Sequence, residues 1–194
     1  LDSDVRLLEL LCGTVSSILK WQQEYKKVHL TSIHDGLTGL LNHKAFLERF
    51  EEEISRAGRF NQMLGLVVLD LDKFKLVNDN YGHLYGDYVL REVAQVITEN
   101  VRAIDIVGRY GGEEFAVLLV NTDIKECLPL AQRIVKSIAE KTFLEGGIAV
   151  KITISAGMAG FPHHAEKVRS LIAKADKAMY ETKVQGGNDV TIAL

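Results

Sequence analysis

Two short stretches carry residues that could do chemistry together. "VVLDLD" (67–72) is an apolar run that stops at Asp70 and Asp72, and "RYGGEEFAVLLV" (109–120) sets Gly111-Gly112 and Glu113-Glu114 against a second apolar run. In a strand, residues i and i+2 share a face, so both aspartates can look out from one strand end. A magnesium ion takes oxygen ligands and holds substrate phosphates with only one or two carboxylates. Asp70 on one strand end and Glu113 on a hairpin tip would suffice for a metal-bound triphosphate, if the two strands are neighbours. Gly111 and Gly112 would permit positive φ and leave room for a ligand beside the backbone. Lys75 adds a point charge suited to phosphate, and Asn78 and Asp87 supply an amide and a carboxylate that can read a purine edge. Each piece also has an ordinary reading: a solvated turn for Asp-x-Asp, an exposed hairpin for Gly-Gly-Glu-Glu, a solvated side chain for His83. The conjunction is far more specific than its parts.

These residues need elements to hold them. The pattern predicts a strand over 63–72 and strands over 104–108 and 115–120, the last two forming a hairpin with the acids at its tip. Helices are predicted over 44–57, 87–101 and 168–183. Another runs from a capping box at Asp123 and Glu126 through Lys141. Alternation over 150–160 predicts a strand, and 190–193 a short closing one. The loop "TSIHDGLTGLLN" (31–42) separates all this from residues 4–30. There, Leu8, Leu11, Val15 and Ile18 give a helical seam that suits a parallel partner helix better than packing on its own domain. The order of elements after residue 60 predicts an α+β fold with a mostly antiparallel central sheet flanked by helices.

Bulk properties narrow the function classes. The chain has 194 residues, a formal net charge of −3 and no basic run, which argues against a general nucleic-acid binder. Cys12 and Cys127 lack metal-ligand spacing, and a reducing cytoplasm is the default compartment. No run of 18 apolar residues occurs, so neither a membrane span nor a signal peptide is expected. The start inside an amphipathic pattern suggests a piece of a longer chain.

Taken together, "DGLTGLLN" (35–42), "DLDKFKLVNDNYGHLYGD" (70–87), "RYGGEEF" (109–115), "ISAGMA" (154–159) and "ADKAMYETKVQGGN" (175–188) resemble a GGDEF domain, the catalytic domain of bacterial diguanylate cyclases, over residues 31–194. The signature is matched as Gly111-Gly112-Glu113-Glu114-Phe115. The resemblance implies a fold similar to adenylyl cyclases and palm-type polymerases. It implies a homodimeric enzyme that joins two GTP into cyclic di-GMP and releases two pyrophosphates, with two Mg2+ (or Mn2+) ions per active site. Asp70, Glu113 and the backbone carbonyl of Leu71 would hold the metals, assisted by Glu114. Lys75 and Lys183, with backbone amides near Lys73 and Phe74, would contact phosphates. Asn78 and Asp87 would bind guanine, with His83, Gly111 and Gly112 lining the substrate. "RAID" resembles an inhibitory site for cyclic di-GMP, made by Arg102 and Asp105 with Arg133 as a secondary arginine. The motif often written Lys-x-x-Gly-Arg-Asn reads "KVQGGN" (183–188), so Gly187 stands where an arginine would contact phosphate. "DVRLLELLCGTVSSIL" resembles the closing helix of a GAF-type sensor, which implies an upstream sensor domain. The alternative is a regulatory module that binds GTP or cyclic di-GMP without turnover.

Overall fold

The computed structural model describes residues 33–194. The expected helix over 4–30, with its dimer seam and Cys12, lies outside the described residues. Helix α1 (His43–Phe60) is capped by Asn42, whose side chain accepts from Ala45 N. It is followed by β1 (Leu64–Leu71), α2 (Phe74–Tyr81), α3 (His83–Asn100), β2 (Ile106–Arg109), β3 (Glu114–Val120), α4 (Ile124–Glu140), β4 (Phe143–Glu145), β5 (Ile148–Val150), β6 (Ile154–Phe161), α5 (Val168–Val184) and β7 (Val190–Ile192).

The main sheet runs β2-β3-β1-β6-β7. Every pairing in it is antiparallel except β6 with β7, so the expected α+β class and mostly antiparallel sheet describe the molecule. β1 lies at the centre and is covered on both faces. Val67, Leu69 and Leu71 join one core with α3 and α4, whereas Leu64, Leu66 and Val68 join a second with α1 and α5. Burial on both faces explains why its sequence is a continuous apolar run rather than an alternating one. Each such side chain contributes about 1.5–3 kcal/mol when fully buried. Among the described residues, no helix is long and apolar enough to cross a membrane.

Three features depart from the sequence reading. Residues 74–81 form the separate helix α2, and α3 starts at His83 rather than Asp87. Gly82, with φ 83°, breaks the two apart. Residues 143–150 form a small β4–β5 hairpin, which takes Val150 from the predicted strand so that β6 begins at Ile154. Its turn uses Gly146 and Gly147 at positive φ. Tyr85 Oη donates to Phe143 O at 2.7 Å and holds the hairpin on α3.

Candidate active site

The β1–β3 register sets Asp70 directly opposite Glu114. Leu71 N donates to Glu113 O at 3.4 Å, which seats the hairpin tip beside the end of β1. The tip is fixed from within by Tyr110 N and Gly111 N, both donating to Glu114 O at 2.8 and 3.2 Å. Neither Gly111 nor Gly112 adopts positive φ, contrary to expectation. The need is for space: a Cβ on Gly111 would collide with the Glu114 carboxylate, while Gly112 faces open space.

From outside, the tip is held by Arg109. Its Nη2 donates to Gly112 O at 2.7 Å, and its Nη1 donates to Asp35 Oδ1 and Oδ2 at 3.1 and 3.2 Å. Asp35 also accepts from Thr38 N at 2.9 Å and Thr38 Oγ1 at 2.7 Å. Burial alone would raise the Asp35 pKa, but these hydrogen bonds and the Arg109 charge outweigh it and hold the carboxyl below its ordinary 3.8. The loop 35–42 is thereby bonded to the glycine tip.

Helix α5 supplies the charges above the tip. It lies close on β6 because Gly157 has no side chain; a Cβ there would collide with Ala175 O and Met179 N. Lys183 Nζ stands 2.6 Å from Asp70 Oδ1. The contact is a close ion pair, and among the described residues Oδ1, which is buried, has no other polar partner. Burial, then the Asp70 charge, pushes the Glu113 carboxyl above its ordinary 4.5, against the pull of Lys183. Asp176, two turns before Lys183 on α5, is likewise raised by burial and by the charge of Glu114. The Lys183 ammonium thus faces Asp70 and Glu113, while Glu114 links Glu113 to Asp176 by charge at the same end of the sheet.

Asp72 does not share in this. β1 ends at Leu71, so the i, i+2 rule no longer applies at Asp72. Its carboxylate accepts from Thr153 Oγ1 and Ser155 Oγ, each at 2.6 Å, and from Asn188 N at 3.1 Å. It anchors the loop after α5. In that loop Gly187 has φ 76°, and a Cβ there would lie 3.0 Å from the Asp72 carboxylate, so this position offers phosphate no side chain.

A divalent metal fits the donor set. Asp70 Oδ1 is a buried oxygen whose one partner among the described residues is the Lys183 ammonium, a cation already drawn to the place a metal would take. Among the described residues no three His, Cys, Asp or Glu side chains form a metal cluster. One or two carboxylates completed by substrate phosphates match magnesium's habits.

The predicted phosphate and purine residues lie on α2 and α3. Lys73 caps α2 in the left-handed conformation, with φ 55° and no side-chain cap bond. First-turn amides of a helix lack intrahelical acceptors and suit phosphate oxygens. Lys75 and His83 are exposed, whereas the Phe74 side chain is core, so only its backbone can serve a ligand. Asn78 packs over Gly86, where a Cβ would strike its carboxamide oxygen. This places Asn78 against the residue preceding Asp87.

The predicted inhibitory residues meet at the turn between α3 and β2. Arg102 donates from Nε and Nη2 to Asp105 at 3.0 and 2.8 Å, and from Nη2 to Thr122 Oγ1 at 2.7 Å. Asp105 also accepts from Arg102 N at 2.9 Å and Val120 N at 3.1 Å, and its side chain is 0% exposed. In this conformation the acceptor sites of Asp105 are filled and it stabilises the turn. The Arg102 side chain is 51% exposed. Arg133, on α4, donates to Asn100 Oδ1 and Asn100 O at 2.8 and 2.6 Å, which brings it to the same corner.

Sequence reasoning passed over Arg109, Asp35, Asp176 and Gly86. The spacing from Asp176 to Lys183, seven residues along one helix, places both on one face and was a usable signal. The Arg109–Asp35 bond spans 74 residues, and no local pattern announces it.

The family described as "Diguanylate cyclase, GGDEF domain" matches residues 32–189, and the chain belongs to it. Diguanylate cyclase A of Treponema denticola is 41% identical over 140 residues, which cover 72% of this chain and 38% of that protein. Diguanylate cyclase DosC of Escherichia coli K12 is 38% identical over 192 residues, 97% of this chain and 41% of that protein. The chain thus spans about two fifths of the length of these curated relatives. Among solved structures, the coiled coil and GGDEF domain of DgcB from Caulobacter crescentus, in complex with c-di-GMP, aligns with a TM-score of 0.89 at 29% identity. That alignment covers 96% of this chain and 99% of that one. The active GGEEF domain of a Vibrio cholerae diguanylate cyclase aligns with a TM-score of 0.74 at 32% identity, covering 80% and 98%.

Proposed function

We propose that the chain is the catalytic part of a diguanylate cyclase: it condenses two GTP into cyclic di-GMP and two pyrophosphates as a homodimer. The observation that carries this is the meeting of Asp70 with the Glu113-Glu114 tip, with a buried Asp70 oxygen held by the Lys183 ammonium. Asp70, Glu113 and the Leu71 carbonyl would hold Mg2+ or Mn2+, two ions per site, with Glu114 beside them. Such ions would supply Lewis acidity toward the 3′-hydroxyl and the α-phosphate and positive charge for the departing pyrophosphate. Asp70 and Glu113 position the triphosphate, and Lys75, Lys183 and the first-turn amides of α2 neutralise its outer oxygens. Asn78 and Asp87 hold guanine, since a carboxylate pairs with guanine's two donors and finds no such pair on adenine. One domain holds one GTP, so two domains must face each other for each 3′-hydroxyl to reach the other nucleotide's α-phosphate.

Product inhibition belongs to the same proposal. A cleft of about 460 Å3 between residues 34–41 and 98–107 is bordered by Arg102 and Asp105. The half-exposed Arg102 guanidinium suits a guanine or phosphate, and Asp105 would join only after releasing Arg102. The sensor domain upstream and the cytoplasmic location are parts of this reading. The second reading, nucleotide binding without turnover, draws support from Gly187, which leaves one phosphate contact unmade.

Incubation with GTP and Mg2+ followed by chromatography separates the two: cyclic di-GMP is expected, and tight GTP binding with no dinucleotide product favours the binding module. Asp87→Asn is expected to cut kcat/KM for GTP by tenfold or more, because a site that hydrogen-bonds a substrate group discriminates strongly through that pairing. An unchanged preference for GTP over ATP in that variant would remove Asp87 from the guanine site.

A further inference from the structure

We propose that Lys183 is the resident cation of Asp70 and exchanges between that carboxylate and the substrate triphosphate, so that metal and nucleotide enter the site cooperatively. The proposal rests on the function proposed above and assigns Lys183 a role that phosphate contact alone does not include. Lys183 Nζ lies 2.6 Å from Asp70 Oδ1, with side-chain exposures of 31% and 15% for the lysine and the aspartate. A magnesium ion needs that oxygen at about 2.0–2.1 Å. An ammonium this close to the oxygen and a divalent ion bound to it compete for the same charge and repel each other.

The lysine is free to leave while its backbone is not. Thr182, 2% exposed, donates from Oγ1 to Ala156 O at 3.0 Å and hydrogen-bonds Thr191 Oγ1 at 2.8 Å. Gly187 N donates to Thr182 O at 3.0 Å, and Asn188 N donates to Asp72 Oδ2 at 3.1 Å. The end of α5 is thus pinned on both sides of Lys183, and only its flexible four-carbon stem has to swing. A triphosphate arriving with its own cation offers the ammonium a new anion as Asp70 takes the metal. A divalent ion arriving alone must displace Lys183 with nothing to receive it. Metal affinity is therefore held down until nucleotide is present.

The test is Mn2+ binding by calorimetry, without nucleotide, to the chain and to Lys183→Met, Lys183→Arg, Lys75→Met and Asp70→Asn. The expected result is about tenfold tighter Mn2+ binding by Lys183→Met, the size of a typical coupling between sites. Lys183→Arg and Lys75→Met should keep the original affinity, and Asp70→Asn should lose binding. A non-hydrolysable GTP analogue should then tighten Mn2+ binding to the unaltered chain by a larger factor than to Lys183→Met. Unchanged affinity in Lys183→Met overturns the exchange, as does equal tightening by Lys183→Met and Lys75→Met, which would mean a diffuse charge effect. If Asp70→Asn loses binding while Lys183→Met leaves it unchanged, the exchange alone fails. If Asp70→Asn binds like the unaltered chain, or if no protein in the set binds Mn2+, both the exchange and the metal site fail.

Discussion

Glu113 sits where its charge is costly. Burial and the neighbouring Asp70 raise its pKa above the ordinary 4.5, so the folded chain holds that proton more tightly than the unfolded chain does. The resulting stabilisation is complete below pH 4.5 and is lost as pH rises through the raised value. At neutral pH without metal, the ionised carboxylate works against the fold. Glu113→Gln is therefore expected to raise the melting temperature of the metal-free protein at pH 7 and to leave it nearly unchanged at pH 4. A melting temperature lowered at pH 7 would contradict this assignment of charge. Mn2+ affinity should fall as pH drops through the same raised value, because the ligand must be deprotonated. At this scale the sequence was informative about types and poor about directions. That Asp70 and Glu113 would be neighbours was legible because one acid ends an apolar run and the other leads into one. The roles of Asp72 and Asp105 were not, because their partners, Thr153 with Ser155 and Val120, come from other parts of the chain.

The elements meet at Arg109, which joins the loop after residue 34 to the hairpin tip through Asp35 and Gly112. Its side chain is 16% exposed and that of Asp35 is 22% exposed. Arg109→Ala is expected to cost about 2 kcal/mol in urea denaturation, since it leaves Asp35 and Gly112 O without a principal donor. It should also reduce kcat through a loosened tip, more than it raises KM for GTP. A stability change below about 0.5 kcal/mol would make the bond a surface ion pair of little consequence. The Asp35 contribution should be present above pH 3.8 and vanish as pH falls through its lowered pKa. The long elements β1, β3, α4 and α5 were legible because their apolar periodicity is strong. α2 was not, because its eight residues, "FKLVNDNY", bury only Phe74 and Val77. The β4–β5 hairpin was missed for a similar reason: of its strand residues, Phe143 alone is buried.

At the scale of the whole molecule, the proposed chemistry needs two copies. In the proposed function each active-site end has one Asp70–Glu113 pair and one Asn78–Asp87 pair to offer, enough for one GTP. The rate of cyclic di-GMP formation is therefore expected to rise faster than linearly with protein concentration, approaching the square at the lowest concentrations. A strictly linear dependence down to nanomolar protein would require either a dimer far tighter than that range or a monomeric mechanism, which sedimentation at the same concentration distinguishes. The α+β class and the sheet direction were legible from element order. The strand order β2-β3-β1-β6-β7 entered only as a condition, that β1 and the hairpin be neighbours, and the antiparallel β1–β3 register meets it. The most direct measurement is cyclic di-GMP production from GTP and Mg2+ by the chain and by Glu113→Gln, side by side, with both shown folded by circular dichroism. The account predicts a dinucleotide product from the unaltered chain and a loss of at least a hundredfold in the variant, as removal of a key electrostatic group at a reacting centre brings. Equal production by the two proteins would contradict it.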